Sequence, residues 1–540
     1  MSTAQDTGQV YALLADGTTV EIRQAGPDDY DAIKAMHEAM APDNVYLRFF
    51  SYSWRSAEIE AGRICHDQGP GNAALLALND GELVGVASYA GVAGHPGQAE
   101  VAFAVADHMH HKGIATLLLE HLVSLARSRQ ITMFTAETLS ENMAMLKVFT
   151  DAGLPVQRHF SDGVYELAFP LPAGDGTALD TYLSAVAERE SSADVASLRH
   201  LLAPESVVVI GASRRREAVG RVILENIRAG GFAGRLYTVN PRARQIDGDR
   251  CLASVLDLPE AADLAIIAVP GPAVLGVAEQ CGQRGVRSLV VITSGLDAAA
   301  CADLLAVCRR HGMRLVGPNC FGVAVPGIGL DATFSATRPQ PGVAGVMSQS
   351  GGVGVALAGV LSQLGIGISS FVSVGNKLDV SGNDMLMWWE RDDATRLAVL
   401  YLESFGNPRK FARTARRIGA KMPVLTVHAG RSEAGQQAAA SHTAAVATPL
   451  ISREALFEQA GVIATRSFGE LTETAALLAT QPVPAGRTVA VVSNVGGAGV
   501  LAADACTDLG LTVHQPHGLT RRRLRTLLPG GTVTGPVDTT

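Results

Sequence analysis

Four apolar residues, a glycine turn and the first polar residues of a helix follow one another in the stretch Val207-Val208-Val209-Ile210-Gly211-Ala212-Ser213-Arg214. Similar apolar runs recur downstream, and each is followed by a turn and by helix-forming sequence. They lie at Leu236–Val239, Leu264–Val269, Ser288–Ile292 and Arg314–Val316. Strands that alternate with helices in this way predict a parallel, doubly wound sheet from about Ser206 to about Val325.

Each predicted strand of this sheet ends in a loop rich in small and polar residues. In a parallel sheet these loops gather at the carboxyl edge, where ligands bind. The candidate binding residues are Gly211, Ser213, Arg214, Asn240, Pro241, Val269, Pro270, Ser294, Gly295 and Asn319. The glycine turn alone leaves a dinucleotide site open, but the sequence has no G-x-G-x-x-G motif, which counts against NAD or FAD.

The ordered set of loops resembles the CoA-binding domain of ADP-forming acyl-CoA synthetases and of the succinyl-CoA synthetase α subunit. The resemblance implies a Rossmann-like domain in which Ser213 and Arg214 contact the phosphates of CoA. It also implies that the loops at Asn240-Pro241 and Val269-Pro270 line the adenosine and pantetheine path. Cys320 is expected to be a small, unreactive loop residue, because no basic or histidine partner stands near it in the sequence.

A further strand, glycine turn and helix begins at Met347-Ser348-Gln349-Ser350-Gly351-Gly352, and the turn suits a phosphate group bound by Ser348, Ser350 and Gly351. Strands are predicted after it at Ile368–Val372, Leu397–Tyr401 and Val424–His428. Downstream, Glu403 and the Ser441-His442-Thr443-Ala444 segment resemble the ADP-forming synthetase pattern, with Ala444 where that pattern has Gly. The resemblance implies that His442 becomes phosphorylated and that Glu403 orients it; the alternative is an exposed loop histidine.

Toward the N-terminus, Ala99–Val105 alternates like a strand and leads through a turn at His110–Thr116 into the predicted helix Leu117–Arg127. The free N–H groups at the start of such a helix suit a pyrophosphate. This turn resembles motif A of the GNAT N-acetyltransferases, and Glu141–Phe149 resembles their motif B. The resemblance implies acyl-CoA contacts at Val105, His110, Lys112, Gly113, Ile114, Ala115, Thr116 and Asn142.

Glu100 lies on the strand ahead of this turn and is the candidate general base. An amine with a pKa of about 10.4 is almost wholly protonated at neutral pH, so it needs a carboxylate to remove its proton before it can attack a thioester. The GNAT resemblance implies this role for Glu100. Without the resemblance, Glu100 would be an ordinary charged residue of a strand.

Composition excludes several classes of function. The formal charge is −8 over 540 residues, and no long basic stripe points to nucleic acid or to a membrane surface. The 7 cysteines form no C-x-x-C pair, which favours a reduced cytoplasmic protein without a zinc site. No metal is expected, and acetyl-CoA or CoA is the expected cofactor, both as substrate and as an effector at a second site.

These observations predict a multidomain α/β protein that is a homo-oligomer. The expected segments are a GNAT α+β domain at 1–171, a linker at 172–200, a Rossmann-like CoA-binding domain at 201–338, a flavodoxin-like succinyl-CoA synthetase domain with the phosphohistidine at 339–483, and the start of another flavodoxin-like domain at 484–540. The closing Gly535-Pro536-Val537-Asp538 resembles an N-P-V-D element of the synthetases. It suggests a longer natural protein that continues into an ATP-grasp domain.

The combination of domains predicts a protein lysine acetyltransferase of the bacterial Pat type. In this interpretation the synthetase-like domains sense acyl-CoA, and the partner is a protein with a reactive lysine, such as an acyl-CoA synthetase. One alternative is an active ADP-forming acyl-CoA synthetase that works through phosphohistidine and has an accessory GNAT domain. Another is a non-catalytic scaffold that responds to CoA.

Overall fold

The computed structural model of the chain describes residues 9–51, 55–66, 69, 71–172, 177–404, 407–427 and 450–540. It divides into two compact units, Met1–Ala479 and Thr480–Thr540. Among the described residues, no helix is long and apolar enough to cross a membrane.

The N-terminal domain is a mixed sheet covered by helices on both faces. Its elements are β1 (Val10–Leu13), β2 (Thr19–Gln24), α1 (Tyr30–Glu38), α2 (Pro42–Phe49), α3 (Arg55–His66), β3 (Asn72–Asn79), β4 (Glu82–Gly91), β5 (Gln98–Val105), α4 (Ile114–Ser128), β6 (Met133–Leu139), α5 (Met143–Asp151), β7 (Gln157–Ser161) and β8 (Val164–Pro170). The strand order is β1-β2-β3-β4-β5-β6-β8-β7. Because side chains alternate along a strand, Leu75 enters the core under α4 whereas Leu76 enters the core with α1 and α3.

The two central strands of this sheet separate along their length. β5 and β6 are parallel and pair only from Gln98–Met133 to Glu100–Thr135. Beyond that point β5 stays paired with β4 on its other side, up to Val105 opposite Gly85. The separation opens a cleft between the carboxyl-terminal halves of β5 and β6.

One long helix, α6 (Thr177–Leu202), follows the N-terminal domain, where the sequence predicts a linker at 172–200. Its first half packs Tyr182 into the N-terminal core, and its last turns pack Leu198, Leu201 and Leu202 into the core of the next two domains. Because the two ends bury different faces, no single apolar stripe runs along the helix, and the usual amphipathic pattern is weak.

The second domain is a parallel sheet with helices on both faces, as the alternating pattern predicts. Its elements are β9 (Ser206–Ile210), α7 (Val219–Gly230), β10 (Arg235–Val239), β11 (Gln245–Ile246), β12 (Asp249–Arg250), β13 (Leu264–Ile267), α8 (Gly271–Gln283), β14 (Ser288–Val291), α9 (Ala298–Arg310) and β15 (Arg314–Val316). The sheet order is β10-β9-β13-β14-β15. The strand order therefore reverses between β9 and β13, and a doubly wound sheet binds its ligand at such a point.

The third domain repeats this strand order and adds a hairpin. Its elements are β16 (Gly322–Val325), β17 (Leu330–Thr333), β18 (Pro341–Ser348), α10 (Gly351–Gln363), β19 (Ile368–Ser373), α11 (Gly382–Arg391), β20 (Leu397–Tyr401), α12 (Pro408–Gly419), β21 (Val424–Val427), α13 (Leu450–Ala460), β22 (Ile463–Thr465) and α14 (Phe468–Thr480). The described strands have the order β17-β16-β19-β18-β20-β21-β22. The hairpin β16–β17, which the predicted boundary at residue 338 assigns to the second domain, pairs with β19 of the third.

The second and third domains share one hydrophobic core. It contains Val207 and Ile223 from the second domain together with Met347 and Trp389 from the third. A shared core holds two domains together more firmly than a polar interface does, so these two domains form one body within the first unit.

The second unit contains short strands and two described helices. Its elements are β23 (Thr488–Val489), β24 (Val492–Ser493), α15 (Gly496–Asp508), β25 (Thr512–Val513), α16 (Gly518–Leu527), β26 (Thr532–Val533) and β27 (Val537–Asp538). The first two of these strands belong to separate small sheets, because β23 pairs with β25 whereas β24 pairs with β27.

Candidate functional site

A cavity of about 600 Å³ fills the cleft between β5 and β6. One wall is the strand segment Val101–Val105, whose far side is paired with β4, and the other wall is formed by β6 and α5. Because this stretch of β5 has no pairing with β6, its backbone groups are available to a ligand chain laid along it.

The start of α4 forms one end of this cavity. Gly113 precedes the helix with φ of +89°, and Ile114, Ala115 and Thr116 form the first turn and line the cavity. Their N–H groups point out of the helix end, where they attract a phosphate. His110 lies beside them, with Nε2 2.9 Å from the carbonyl oxygen of Val105.

Asn142 caps the next helix at the same cavity. Its Oδ1 accepts a hydrogen bond of 3.0 Å from the N–H of Met145, which fixes the start of α5. Lys112, by contrast, is turned toward the N-terminal hairpin, with Nζ 3.5 Å from a carboxylate oxygen of Asp16. The structure therefore brings together the predicted contacts of this turn except Lys112, which does not line the cavity.

Glu100 lies at the cavity beside a group of charges that the sequence does not reveal. Arg48 of α2 lines the same cavity and donates a hydrogen bond of 2.7 Å to Glu60, which Arg63 also contacts at 2.7 Å. Arg48, Glu60 and Glu100 come from three separate elements, so only their packing shows that they belong together. The catalytic role of Glu100 stays a prediction.

The ligand loops of the second domain are joined to one another along the carboxyl edge of its sheet. The amide of Asn240 donates to the carbonyl of Ala212 at 2.6 Å, and the N–H of Gly211 donates to the carbonyl of Val239 at 2.9 Å. Farther along, Thr293 donates to the carbonyl of Val269 at 2.7 Å and accepts at its own carbonyl from Asn319 N at 2.9 Å. The predicted loops thus form one continuous edge.

Gly211 is the tightest point of this edge. Its φ is +92°, and a Cβ atom built there would lie 2.3 Å from the carbonyl oxygen of Ala268. Ser213 Oγ accepts a hydrogen bond of 3.1 Å from Arg215 N, and Arg214 is exposed with a guanidinium contact of 3.3 Å to Arg242 O. Pro241, Ser294 and Gly295 are also exposed, and Pro270 precedes α8.

Cys320 follows the same edge but is buried. Its thiol contacts the carbonyl of Val291 at 3.3 Å, and burial raises its pKa to about 12. A thiol with such a pKa is not a nucleophile at neutral pH, which agrees with the expectation of an unreactive loop residue.

The loop at Pro318 and Asn319 contacts the third domain directly. The N–H of Asn376 donates to the carbonyl of Pro318 at 3.0 Å, and the amide of Asn319 donates to Asn376 Oδ1 at 3.3 Å. The N–H of Phe321 donates to the hydroxyl of Ser373 at 2.9 Å. The carboxyl edge of the second domain therefore continues into that of the third.

In the third domain, α10 begins at the end of β18 with the predicted phosphate turn. Ser348 is buried and its hydroxyl donates to the carbonyl of Ser350 at 2.5 Å. Ser350 and Gly351 open the helix and are half-buried. The free N–H groups of this helix start face the carboxyl edge of the sheet, where an anion would be stabilised.

Gln349 connects this turn to Glu403. Its Oε1 accepts hydrogen bonds from Glu403 N at 2.6 Å and from Ser404 N at 2.9 Å. On the other side, Lys377 Nζ donates to the hydroxyl of Ser404 at 2.7 Å. Gln349, Lys377 and Ser404 were not singled out from the sequence, because nothing in their local pattern marks them. His442 lies outside the described residues.

Within the described ranges, no three His, Cys, Asp or Glu side chains form a group that could hold a metal ion.

Three protein families match separate parts of the chain. The Acetyltransferase (GNAT) family matches residues 34–154, and the CoA binding domain matches residues 205–326. The succinyl-CoA ligase like flavodoxin domain matches residues 341–478. The predicted α/β fold class, with its GNAT, Rossmann-like and flavodoxin-like domains, is thus confirmed, and so is CoA or acyl-CoA as the cofactor these domains bind.

Curated relatives match a longer part of the chain. The α subunit of acetate–CoA ligase [ADP-forming] I of Pyrococcus furiosus is 37% identical over 354 residues, which cover 64% of this chain and 77% of the relative. Acetate–CoA ligase [ADP-forming] of Methanocaldococcus jannaschii is 36% identical over 346 residues, which cover 63% of this chain and 49% of the relative. The chain thus spans about half the length of this relative and of acetate–CoA ligase [ADP-forming] I of Archaeoglobus fulgidus.

One of the solved structures that resemble this chain is also an acyl-CoA-forming enzyme by its name. The dinucleotide forming acetyl-coenzyme A synthetase 1 of Ca. Korarchaeum cryptofilum, in complex with phosphate and ADP, is 36% identical and aligns with a TM-score of 0.62. The alignment covers 64% of this chain and 75% of the synthetase chain.

These relatives correct the functional prediction. The interpretation as a protein lysine acetyltransferase with a sensing synthetase region is wrong, because the strong similarity, over 63–64% of the chain, is to ADP-forming ligases. The match to the GNAT family identifies a domain at residues 34–154, and it does not indicate which molecule accepts the acyl group. A GNAT-family domain does not by itself define what receives the acyl group.

The ordered match of CoA-binding and ligase domains, the shared carboxyl edge and the extent of the α-subunit similarity agree with one another. The chain belongs to the ADP-forming acetate–CoA ligase family, and it has a GNAT-family domain on the N-terminal side of its ligase domains.

Proposed function

We propose that this chain carries out the CoA and phosphohistidine half of an ADP-forming acyl-CoA ligase. The observation that supports this most directly is the continuous line of hydrogen-bonded loops from Gly211 to Glu403, which joins the candidate CoA edge to the candidate phosphate turn. Acyl-CoA and phosphate are the substrates, and a carboxylic acid, CoA and a phosphorylated His442 are the products.

The proposed reaction consists of an acyl transfer followed by a phosphoryl transfer. In the first, a phosphate oxygen attacks the thioester carbon, a C–O bond forms, the C–S bond breaks, and CoA leaves as a thiolate that takes up a proton. In the second, a ring nitrogen of His442 attacks phosphorus, an N–P bond forms and the bond to the acyl oxygen breaks. The carboxylate then leaves, and the phosphoryl group stays on the histidine.

The residues of the third domain supply electrostatic stabilisation for the second transfer. The N–H groups at Ser350 and Gly351 lie at the start of α10, where the helix dipole favours the charge on a phosphoryl group. A carboxylate at Glu403 would accept the ring N–H of His442 and fix the tautomer whose other nitrogen attacks. The loops of the second domain, from Gly211 to Asn319, would hold CoA.

A nucleotide-binding partner completes the ligase reaction in this proposal. The phosphoryl group would pass from His442 to ADP on a module outside the three domains described above, and the relative from Pyrococcus furiosus is named as a subunit alpha. We further propose the segment boundaries 171 and 483 for this chain, with the third domain beginning at the hairpin β16–β17 because that hairpin pairs with β19. The seven cysteines, all with free thiols, support a reducing cytoplasm as the location.

The GNAT domain is proposed as a second acyl-CoA site. Its support is the cavity of about 600 Å³, which combines the helix start at Gly113 with an unpaired stretch of β5. A pantetheine chain can pair with such a strand while its pyrophosphate meets the helix start. Calorimetry should then find two acetyl-CoA molecules bound per chain.

A half-reaction tests the ligase proposal without nucleotide. The chain is mixed with acetyl-CoA and radiolabelled phosphate, and released CoA is followed with a thiol reagent. We expect CoA release together with labelled protein whose phosphate is stable in alkali and labile in acid, as for a phosphoramidate. A chain that binds acetyl-CoA but gives neither product contradicts the proposal.

Replacing Glu403 with glutamine is expected to slow this labelling by about 10- to 100-fold, because an amide cannot carry the negative charge that stabilises the imidazolium side of the transfer. The affinity for acetyl-CoA should stay within about twofold of the wild-type value, because an interaction made only in the transition state does not contribute to substrate binding. The matched control is Glu458→Gln, an exposed residue of α13 in the same domain. Equal labelling rates in the two variants would show that Glu403 has no part in the transfer.

Replacing Gly211 with alanine is expected to weaken CoA binding by about tenfold or more, because a positive φ and a blocked Cβ position force the β9–α7 turn to move. Calorimetric titration of CoA measures the change, and circular dichroism checks folding. Gly276→Ala serves as the control, since its Cβ would meet nothing within 4 Å and it lies inside α8. Unchanged affinity and stoichiometry in Gly211→Ala would place CoA elsewhere.

A further inference from the structure

Lys377 lies on the turn that follows β19, and its amine enters the third domain instead of solvent. Nζ donates hydrogen bonds to the backbone carbonyl of Ser404 at 2.5 Å and to its hydroxyl at 2.7 Å. The residue has φ of +50°, in the left-handed region that a lysine rarely adopts. A backbone held in that region and a half-buried amine both cost free energy, and the two hydrogen bonds to Ser404 offset part of that cost.

The same two-residue turn is held from its other side by Gln349. Its Oε1 accepts hydrogen bonds from the N–H groups of Glu403 and Ser404, and Gln349 as a whole is 7% exposed. Gln349 thus holds the donors of the turn while Lys377 holds its acceptors. Together they fix the backbone from which the Glu403 side chain projects.

Charge also couples Lys377 to Glu403. Burial lowers the pKa of Lys377 to about 8, and the carboxylate of Glu403 opposes this shift by favouring the ammonium form. Tyr401, on the strand that leads to Glu403, has its pKa raised, first by burial and then by the same carboxylate. Glu403 is therefore the charged group that acts on Lys377 within the described part of the chain.

The turn that carries Lys377 is also fastened to the second domain. Next to it, Asn376 accepts from Asn319 and donates to the carbonyl of Pro318. A Cβ at Gly375 would lie 2.3 Å from the carbonyl oxygen of Asn319, so the two backbones touch. Movement of the candidate CoA loop at Asn319 would therefore shift the turn that carries Lys377.

We propose that Lys377 is a positioning residue for the phosphoryl transfer to His442. It makes and breaks no covalent bond. It holds the Glu403–Ser404 turn in place through its hydrogen bonds to Ser404, and its positive charge acts on the carboxylate of Glu403 while the ring nitrogen of His442 attacks phosphorus. This inference rests on the proposed ligase function, since Glu403 has no other assigned role.

The test compares Lys377→Met and Lys377→Arg with the control Lys421→Met, whose lysine side chain is 59% exposed and paired with Glu390 in the same domain. We expect Lys377→Met to lower kcat for histidine labelling by about 10- to 100-fold, because the variant loses a charged hydrogen bond. The KM for acetyl-CoA should stay within about twofold of the wild-type value. Lys377→Arg should recover part of the rate. Lys421→Met should match the wild-type chain.

The pH profile separates positioning by charge from simple packing. Because the ammonium form is lost as pH rises through about 8, the wild-type labelling rate should fall across that range. In Lys377→Arg the guanidinium stays charged, so the labelling rate should begin to fall at a pH more than about one unit higher than in the wild-type chain. A wild-type profile that is flat around pH 8, or one identical in Lys377→Arg, would overturn the charge role.

Hydrogen–deuterium exchange provides a readout that does not need turnover. Peptides covering residues 397–404 should exchange faster in Lys377→Met than in Lys421→Met, because the turn loses one of its two anchors. If the wild-type chain forms no phosphohistidine, the proposed function fails, and equal exchange in these variants would then reject the positioning role as well. If the wild-type chain is labelled and Lys377→Met is labelled equally fast, only the role of Lys377 fails.

Discussion

Replacing His442 with alanine is expected to abolish labelling of the chain by acetyl-CoA and radiolabelled phosphate, with a loss of more than about 10³-fold. The physical reason is that the N–P bond needs a ring nitrogen whose lone pair is free at neutral pH. Serine, threonine and the buried thiols of this chain offer much weaker nucleophiles. Acid-labile phosphate on the protein, measured against time, gives the rate.

The His442→Ala variant should still bind acetyl-CoA with the wild-type affinity, since the candidate CoA loops lie in the second domain. His517→Ala is the matched control, because His517 is exposed at the start of α16 in the other unit. Acid-labile labelling that persists in His442→Ala would assign the nucleophile to another residue. Loss of acetyl-CoA binding in the same variant would indicate misfolding instead, and circular dichroism distinguishes the two results.

Replacing Arg314 with methionine is expected to lower the free energy of unfolding by about 3–5 kcal/mol, because it leaves buried acids without their counter-charge. The Arg314 side chain is 6% exposed and contacts Asp379 at 2.8 Å and Asp384 at 2.7 Å. Asp194 of α6 lies 3.9 Å away and also meets Lys410 at 3.1 Å. The guanidinium thus joins α6 to both ligase domains.

Thermal unfolding followed by circular dichroism measures the effect of Arg314→Met. A loss of this size should lower the midpoint of the transition by roughly 5–15 °C for domains of this length. Arg310→Met on α9 is the control, since that residue is paired with Glu279 at the surface and should change stability by less than about 1 kcal/mol. Adding Asp384→Asn to Arg314→Met should restore part of the loss. A midpoint equal to that of Arg310→Met would show that the cluster does not stabilise the junction.

Helix α6 illustrates what local patterns miss. Its sequence is polar and rich in alanine, which is typical of a linker, and the structure makes it a continuous helix of 26 residues. Arg189 on this helix pairs with Glu120 of α4 and donates to the carbonyl of Asp151 at 2.8 Å. Glu188 contacts Arg391 at 2.5 Å farther on. These partners lie on separate domains, so no window of sequence contains the reason for the helix.

The candidate site was predicted unevenly for a related reason. The loops at Gly211, Asn240 and Asn319 were found because each follows an apolar strand, and topology then brings them to one edge. The local sequence marks Gln349 only as part of a glycine turn, and it does not mark Lys377 at all. Their function depends on Ser404, which is 55 residues from Gln349 and 27 from Lys377 in the sequence.

Local sequence patterns are enough to predict the alternation of strands and helices, the glycine turns at Gly113, Gly211 and Gly351, and the presence of GNAT-like and CoA-ligase-like parts. Each of these depends on residues close together in the chain, where the side-chain period and the turn chemistry are visible. Three other features become visible only in the folded chain: β5 and β6 separate into a cleft, the hairpin β16–β17 joins the third domain, and Lys377 contacts Ser404. Those features result from packing and pairing between distant segments, and the free energy that selects them exists only once the segments have met.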